Sequence, residues 1–554
     1  MPLSRHHFHM SRLLGTPCGL LLLAAGGCVS LPPPSAHPPP QPPETPAAAS
    51  GLGRTFLGSA QEHLPDSGFH LISAGIDGLL LRLELIDKAE ESLDLQYYIF
   101  RCDDSGKLVQ QALLRAADRG VHVRIITDDG ETVAGDEKLL RLAAHPKIEV
   151  RVFNPFEYRG HNKLARGVDF LFHKSRLDYR MHNKLMVVDG IVAVTGGRNI
   201  GDQYFQVNPE SQFGDDDVLT VGPVVTRLTG EFAEYWNSPN TVDALRLQRH
   251  RGDAAALAQY RDELSAPDKK RDTHLKINAY AQQFDQRLKD QEPLRSIVAD
   301  PSSLTWASAQ VLYDSPEKRQ IKKGERFGRL MYQPIETAIA ATQSDLLMIS
   351  PYFVPMQSEA QLLAAETRKG VHVRILTNSL PAAPDILAHA GYMRHRLTLL
   401  ENGVRLYEIR ADLGSTRGSG ESKKLTRYGT YALHAKLFVF DRAAVFVGSM
   451  NLDQRSVRLN TEMGLIIQSG HLADTLAARF NALTTPDNAY EVAFADAGTG
   501  AAAGASDPPS HQHRLVWRTQ ENNQALELRK EPARSGLQRF EARLLSILPL
   551  DGEL

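Results

Sequence analysis

An internal repeat with a period of about 250 residues constrains this chain more than any other feature. The segment DLQYYI at residue 94 is matched by DLLMI at 345, GVHVRI at 120 by GVHVRI at 370, and HNKLMVVD at 182 by HAKLFVFD at 434, with offsets of 251, 250 and 252 residues. Offsets this regular predict that the chain folds as two copies of one unit.

Each copy has the pattern strand, helix, strand. A helical stretch, LVQQALLRAADR or AQLLAAETRK, ends at a glycine and leads into VHVRI. Strands that alternate with helices indicate a sheet flanked by helices. The motif segments KLMVVDGIVAVTGG and HAKLFVFDRAAVFVGS each predict a β-hairpin with aspartate at the turn. The predicted fold class is therefore α/β: two α/β repeats of mixed sheets flanked by helices, around a pseudo-twofold axis, with the active site in the cleft between them.

Composition shifts divide the chain further. We predict a signal peptide at 1–28, a disordered proline-rich linker at 29–64, a first repeat at 65–242, a helical and charged inter-repeat segment at 243–325, a second repeat at 326–496, and a C-terminal extension at 506–554 after a Gly/Ala-rich break. Within the extension, LVWRTQENNQALELRKEP predicts a hairpin and LQRFEARLLSIL a helix.

The N-terminus reads as a targeting signal. Arg5 and Arg12 precede an apolar run that ends in Gly26-Gly27-Cys28 and is shorter than the ~20 residues that span a bilayer. The ending resembles the lipobox of bacterial lipoproteins, which implies acylation at Cys28 and a membrane-anchored protein on the periplasmic face of the inner or outer membrane. A plain signal sequence is the alternative. Three cysteines, two of them in this segment, provide no disulfide framework.

Both repeats contain the motif His-x-Lys-x4-Asp, as His182-Lys184-Asp189 and His434-Lys436-Asp441. Transfer at a phosphodiester needs a nucleophile, a proton donor for the leaving alkoxide and cations for the phosphate oxygens, and two copies of the motif supply all three. Because residues two apart on a strand point the same way, each histidine and lysine are expected to face a shared phosphate. The two aspartates complete the candidate catalytic motif, but we expect structural hydrogen bonds from them rather than substrate contact.

Polar residues follow both motifs at matching distances. Asn199 and Asn451 can donate to a phosphate oxygen. Ser449, which lies in the second of these elements where the first has Gly197, is a further candidate phosphate contact. Farther on, Asp215 and Glu462 offer carboxylates that would orient the histidines, with Asp216 or Asp217 as alternatives to Asp215.

One further His-x-Lys, at His161-Asn162-Lys163, has Val168 at the aspartate position and is interpreted as having no catalytic role. Zinc-type clusters and nucleotide-binding glycine loops are absent from the sequence, so no metal or cofactor is expected. The net charge of -2 disfavours a nucleic-acid partner.

These residues resemble the phospholipase D superfamily. The segments TGGRNIGDQYF and GSMNLDQRS after the two motifs, and LRKEP and SILPLDGEL in the tail, make the chain similar to bacterial cardiolipin synthases of type C over residues 65 to 554. The resemblance implies a phosphohistidine intermediate without metal, with His182 as nucleophile and His434 as acid. It also implies that the two lysines, Asn199 and Asn451 hold phosphate.

The expected activity is phosphatidyl transfer between phospholipids, with phosphatidylethanolamine as donor and phosphatidylglycerol as acceptor, which yields cardiolipin. With water as acceptor the same site would be a phospholipase D hydrolase, and a periplasmic phosphodiesterase or nuclease would use identical residues. An envelope scaffold with an inactive site is the non-catalytic alternative. The sequence leaves open whether a partner protein is required.

Overall fold

The computed structural model describes residues 47–130, 139–158, 163–208, 211–247, 253–266, 296–297, 303–320, 330–413, 430–495 and 515–548. The signal peptide, Cys28, the linker as far as residue 46, His161 and the Gly/Ala-rich break lie outside these ranges. No helix within them has both the length and the apolar character that crossing a bilayer requires.

Within the described residues, the first half of the chain contains ten strands and eight helices. The strands are β1 Ser67–Ile72, β2 Ser92–Tyr97, β3 His122–Asp128, β4 Ile148–Phe153, β5 Lys184–Val188, β6 Val192–Gly196, β7 Ser211–Gly214, β8 Asp217–Val221, β9 Thr241–Asp243 and β10 Thr305–Ala307. The helices are α1 Gly51–Glu62, α2 Gly75–Lys88, α3 Asp104–Asp118, α4 Lys163–Phe172, α5 Lys174–Leu177, α6 Pro223–Trp236, α7 Ala244–Leu247 and α8 Ala254–Ser265. Nine of the strands form a sheet in the order β10-β1-β8-β6-β5-β2-β3-β4-β9.

The second half builds a sheet of the same kind. Its strands are β11 Ala309–Tyr313, β12 Asp345–Ile349, β13 Phe353–Val354, β14 His372–Asn378, β15 Arg405–Ile409, β16 Thr430–Leu433, β17 Lys436–Phe440, β18 Ala444–Gly448, β19 Leu452–Asp453, β20 Met463–Ile467, β21 Ala489–Phe494, β22 Leu515–Glu521 and β23 Gln524–Leu528. Its helices are α9 Tyr332–Ala341, α10 Gln357–Arg368, α11 Ile386–Glu401, α12 Gln454–Arg458, α13 Gly470–Leu483 and α14 Gly536–Ile547. The ten-stranded order is β11-β20-β18-β17-β12-β14-β15-β21-β22-β23.

The two sheets share one arrangement of strands around the motif hairpins. In the first, β2 pairs in parallel with β3 and antiparallel with β5; in the second, β12 pairs in parallel with β14 and antiparallel with β17. Helices α6 and α13, which follow equivalent strands, pack with both sheets in a common apolar core that includes Phe232, Leu437 and Phe480. The prediction of two α/β repeats is confirmed.

Helix α1 corrects the prediction that residues 29–64 are a disordered linker throughout. The Ser50 hydroxyl accepts a hydrogen bond from the Gly53 amide, which caps the helix. Leu52, Phe56 and Ala60 are buried at helical spacing. Those three apolar residues were the available sequence signal, and the neighbouring proline run obscured it.

The inter-repeat segment 243–325 is also not simply helical. Besides α7 and α8, its described part contains β10 and β11, which pair antiparallel with β1 and β20 respectively. The connection therefore adds one strand to each sheet. The C-terminal hairpin and helix form as predicted, but β22 pairs with β21 and extends the second sheet instead of forming a separate module.

Candidate active site

Both motif histidines lie where the two repeats meet. Each stands two residues before a strand, and its backbone amide donates across the interface: His182 to the Thr461 carbonyl at 2.8 Å and His434 to the Gly214 carbonyl at 2.7 Å. Strands β7 and β16 pair in parallel beside the second contact. The site predicted between the repeats therefore lies where segments from both of them meet.

Each motif histidine pairs with a carboxylate of the other repeat. His182 Nδ1 lies 2.8 Å from Glu462 Oε2, and His434 Nδ1 lies 2.5 Å from Asp215 Oδ2. The sequence identified both acids but not this exchange of partners, since nothing local to either motif records it. A carboxylate at Nδ1 places the ring proton there on both rings. On His434, Nε2 lies 3.3 Å from Lys436 Nζ.

The alternatives to Asp215 are engaged elsewhere. Asp216 accepts a hydrogen bond from the Ser73 hydroxyl. Asp217 forms buried ion pairs with Arg82 at 2.9 Å and Arg198 at 3.3 Å. Asp215 is thus the carboxylate of this run that contacts an active-site histidine.

The motif aspartates lie in the hairpin turns and bind backbone amides. Asp189 and Asp441 occupy the hairpin turns with φ of +53° and +52°. The Asp189 carboxylate accepts hydrogen bonds from the amides of residues 90–92, and Asp441 accepts from those of 343–345. Each therefore ties its hairpin to the start of the neighbouring strand, in line with the structural hydrogen bonds expected from the sequence.

Both lysines are almost completely buried. Lys184 and Lys436 are each 1% exposed, and each ammonium donates to the carbonyl of the histidine two residues earlier. Burial lowers the pKa of Lys436 to about 8 and that of Lys184 well below its usual range. An anionic ligand between them would favour the charged form of both.

The surroundings of the two histidines favour their neutral forms. Burial and the nearby lysines lower the pKa of His434 to about 3 and that of His182 well below its usual value. Their partners differ: burial raises the pKa of Glu462 to about 7, whereas for Asp215 the contacts with His434 and Lys436 outweigh burial and lower the pKa to about 2. A fully ionised carboxylate thus faces His434, and a less acidic one faces His182.

Asn199 and Asn451 each have a buried side-chain atom without a hydrogen-bond partner in the described chain. Asn199 Oδ1 accepts a hydrogen bond from the Ile99 amide at 3.0 Å, and its side-chain nitrogen is buried without a hydrogen-bond partner in the described chain. The side-chain oxygen of Asn451 is likewise buried and unsatisfied there. Because buried polar atoms normally find partners, these two amides fit a site that is completed by a polar ligand.

Ser449 has a different role from the phosphate contact predicted for it. Its hydroxyl donates to Glu462 Oε2 at 2.5 Å and accepts from the Met463 amide at 3.0 Å. In the first repeat, a Cβ atom added to Gly197 would come within 2.0 Å of Asp215 Oδ1. The longer acid therefore pairs with serine and the shorter acid with glycine.

Sequence reasoning missed two kinds of supporting residue. Asp128 accepts a hydrogen bond from the Met181 amide at 2.9 Å, and Asn378 accepts from the Leu433 amide at 2.8 Å, which fixes the residue before each histidine. Both stand eight residues after the glycine of GVHVRI, and this repeat position was the signal that could have found them. The other group consists of aromatic rings with centroids 5.1–5.3 Å from those of the histidines: Tyr98 at His182, and Tyr204 and Phe213 at His434.

Comparison with known proteins identifies the family. The family model described as cardiolipin synthase, PLD-like domain, matches residues 83–236 and 335–484, one segment within each predicted repeat. The chain belongs to the phospholipase D-like cardiolipin synthase family. Cardiolipin synthase C of Escherichia coli (strain K12) is 36% identical over 501 residues, which cover 88% of this chain and 97% of that protein.

More distant members of the family, and solved structures, also match. The major cardiolipin synthase of Bacillus subtilis (strain 168) is 26% identical over 418 residues, covering 75% of this chain and 68% of the relative. The crystal structure of phosphatidylserine synthase from Haemophilus influenzae Rd KW20 superposes with a TM-score of 0.50 at 14% identity, covering 78% of this chain and 90% of that one. At this identity the structural match supports the fold alone.

Proposed function

We propose that this protein is a cardiolipin synthase-type phosphatidyltransferase that works through a phosphohistidine intermediate. The observation that carries the proposal is the exchange of carboxylates between the repeats, which orients two imidazoles beside two buried lysines. The relative from Escherichia coli bears the name cardiolipin synthase C. We propose phosphatidylethanolamine as donor and phosphatidylglycerol as acceptor.

In the first step, His182 Nε2 attacks the phosphorus of the donor lipid. The bond from phosphorus to the head-group oxygen breaks, and this oxygen takes a proton from His434 Nε2, so that ethanolamine leaves and phosphatidyl-His182 remains. Lys184 and Lys436 stabilise the negative charge on the non-bridging oxygens. The phosphate of the bound lipid raises the pKa of His434, because its charge offsets that of the lysines.

In the second step, a glycerol hydroxyl of the acceptor lipid gives its proton to His434 and attacks phosphorus. The bond between phosphorus and His182 breaks, which releases cardiolipin and restores both histidines. Water in place of the acceptor would give phosphatidic acid, so the synthase depends on lipid filling the site.

The unequal carboxylates support the division of roles. Asp215, with its pKa near 2, stabilises a positive charge on His434 and so suits the proton donor. Glu462, with its pKa near 7, favours a neutral His182 and so suits the nucleophile.

We also propose that the chain is a lipoprotein of the bacterial cell envelope, acylated at Cys28 and facing the periplasm. Incorporation of a radiolabelled fatty acid into the wild type and not into Cys28→Ser would support the anchor. Equal labelling of both would reject it.

The decisive test is the product profile of the purified protein on vesicles of phosphatidylethanolamine and phosphatidylglycerol. We expect cardiolipin and free ethanolamine from the wild type and neither from His182→Ala or His434→Ala. Phosphatidic acid alone would make the protein a hydrolase, and turnover that persists in both variants would remove the site from the reaction.

A further inference from the structure

Helix α4 has its apolar and polar faces reversed. Val168, Leu171 and Phe172 are 50%, 74% and 82% exposed, and they lie on one side of the helix. Asp169 is buried instead, where its carboxylate accepts a hydrogen bond from the Tyr158 amide at 2.8 Å. A helix on a water-facing surface normally shows the opposite arrangement.

Helix α14 repeats this arrangement in the second half of the chain. Leu537, Phe540, Leu544 and Ile547 are 65%, 63%, 52% and 79% exposed at helical spacing, and Ala542 is the residue that the helix buries. Exposed apolar surface of this extent on two helices marks an interaction site.

The two helices are anchored beside the ends of equivalent strands, one in each repeat. Arg166 of α4 donates to the Asp129 and Gly130 carbonyls directly after β3, and Gln538 of α14 donates to the Leu380 carbonyl just after β14. Strands β3 and β14 are equivalent, and their last residues fix the segments that precede the two active-site histidines. The apolar helices therefore flank the active-site edge on both sides of the pseudo-twofold axis.

We propose that α4 and α14 are a two-sided docking surface for a phospholipid bilayer, with the active-site cleft between them; this rests on the proposed lipid substrate. A bilayer can meet two convex helices of opposite repeats at once, because it is flat and apolar below its head groups. The charge around α4 fits as well: residues 157–176 contain five arginines and lysines against two acidic residues, of which Asp169 is buried, in a chain of net charge -2. Such a segment is attracted to anionic head groups.

The test places tryptophan probes in the full-length protein. Phe172→Trp and Phe540→Trp are prepared beside His372→Trp, an exposed position at the opposite end of β14. Each is added to phosphatidylethanolamine and phosphatidylglycerol vesicles with brominated acyl chains, which quench tryptophan at the depth of the upper chains. The wild-type signal from Trp236, Trp306 and Trp517 is subtracted.

We expect quenching at positions 172 and 540 to exceed that at 372 by about threefold or more, since only the first two enter the interface. Because the control shares any N-terminal anchor, the difference reports orientation and not membrane attachment. Equal quenching at all three positions would overturn the proposal. If the probes are not quenched and Phe172→Asp and Phe540→Asp change the oligomeric state, the surface is an interface between copies and the proposal is likewise overturned. Quenching without lipid turnover would retain the docking surface and reject only the proposed function.

Discussion

At the scale of single residues, the chemistry depends on the two carboxylates that contact the histidine Nδ1 atoms. Asp215 and Glu462 take equivalent positions in the two halves, yet the pKa of the first is lowered to about 2 and that of the second is raised to about 7. The difference follows from where each carboxyl lies: Asp215 faces His434, Lys436 and Arg198, whereas burial dominates at Glu462. Two motifs that look alike in sequence are thereby made electrostatically unequal.

This inequality predicts which histidine becomes dispensable when the leaving group needs no proton. With a phosphatidyl ester of p-nitrophenol, the leaving oxygen requires no proton, so we expect His434→Ala and Asp215→Asn to retain the first burst of p-nitrophenol. We expect His182→Ala to abolish it. Rapid-mixing absorbance measures the burst, and a burst that survives in His182→Ala and is lost in His434→Ala would reverse the assignment.

The lysines predict the basic limb of the pH profile. The pKa of Lys436 is lowered to about 8 by burial, so the free enzyme loses this ammonium as the pH rises through that value. We expect kcat/KM to fall above pH ~8, because this parameter reports groups of the free enzyme. Lys436→Arg keeps its charge at every accessible pH and should lack the limb, at a lower maximum rate. An unchanged limb in this variant would assign it to another group.

At the scale of secondary structure, the hairpin turns explain why aspartate recurs in both motifs. A positive φ at Asp189 and Asp441 suits the tight turn, and the carboxylates gather backbone amides that would otherwise be unsatisfied. The motif therefore combines a histidine and a lysine that act on the substrate with an aspartate that holds the hairpin in register.

Removal of this carboxylate should affect folding more than chemistry. We expect Asp189→Ala to lower the free energy of unfolding by about 1–3 kcal/mol, because buried or half-buried amides lose their acceptor. Activity per folded molecule should fall far less than in His182→Ala. Thermal unfolding and a folded-fraction-corrected assay measure the two effects, with Asp262→Ala on exposed α8 as the surface control. A loss of activity equal to that of His182→Ala would return Asp189 to the catalytic set.

Local sequence pattern predicted most helices and strands named in the sequence analysis, but it did not predict the contacts between them. The motif hairpins and the C-terminal hairpin and helix follow from turn residues and apolar periodicity. Helix α1 and strands β10 and β11 were missed, because their short apolar runs become meaningful only against a sheet or core supplied by distant sequence. For the same reason the sequence could name Asp215 and Glu462 but not their exchanged partners, and it assigned the Ser449 hydroxyl to phosphate when Glu462 takes it.

At the scale of the whole molecule, a buried polar network joins the halves beneath the site. Asn183 donates to Glu231 of α6 at 2.8 Å and accepts from the Thr461 hydroxyl of the other repeat at 2.9 Å. Burial raises the pKa of Glu231 to about 8. The native state therefore holds a proton on this carboxyl over a range in which the unfolded chain has released it.

The stability of the fold therefore depends on pH through Glu231. Since the folded pKa of about 8 exceeds the unfolded value of ~4.5, the contribution of Glu231 to stability is complete below pH ~4.5 and is lost as the pH rises toward 8. We expect the melting temperature of Glu231→Gln, relative to the wild type, to increase between pH 5 and 9. Glu401→Gln, at an exposed helix end, serves as control. A difference that does not vary with pH would show that Glu231 does not titrate in this way.

The pairing of each histidine with a carboxylate of the other repeat also bears on how a two-repeat chain could evolve from a single repeat. A gene that encoded one copy of the repeat would have produced a protein with half a site, active only after two copies had paired, so that its rate would have risen with the square of its concentration in dilute solution. Fusion of two copies removed that dependence and freed each half to change alone. The difference between Gly197 and Ser449, each of which fits the length of its neighbouring acid, agrees with such independence.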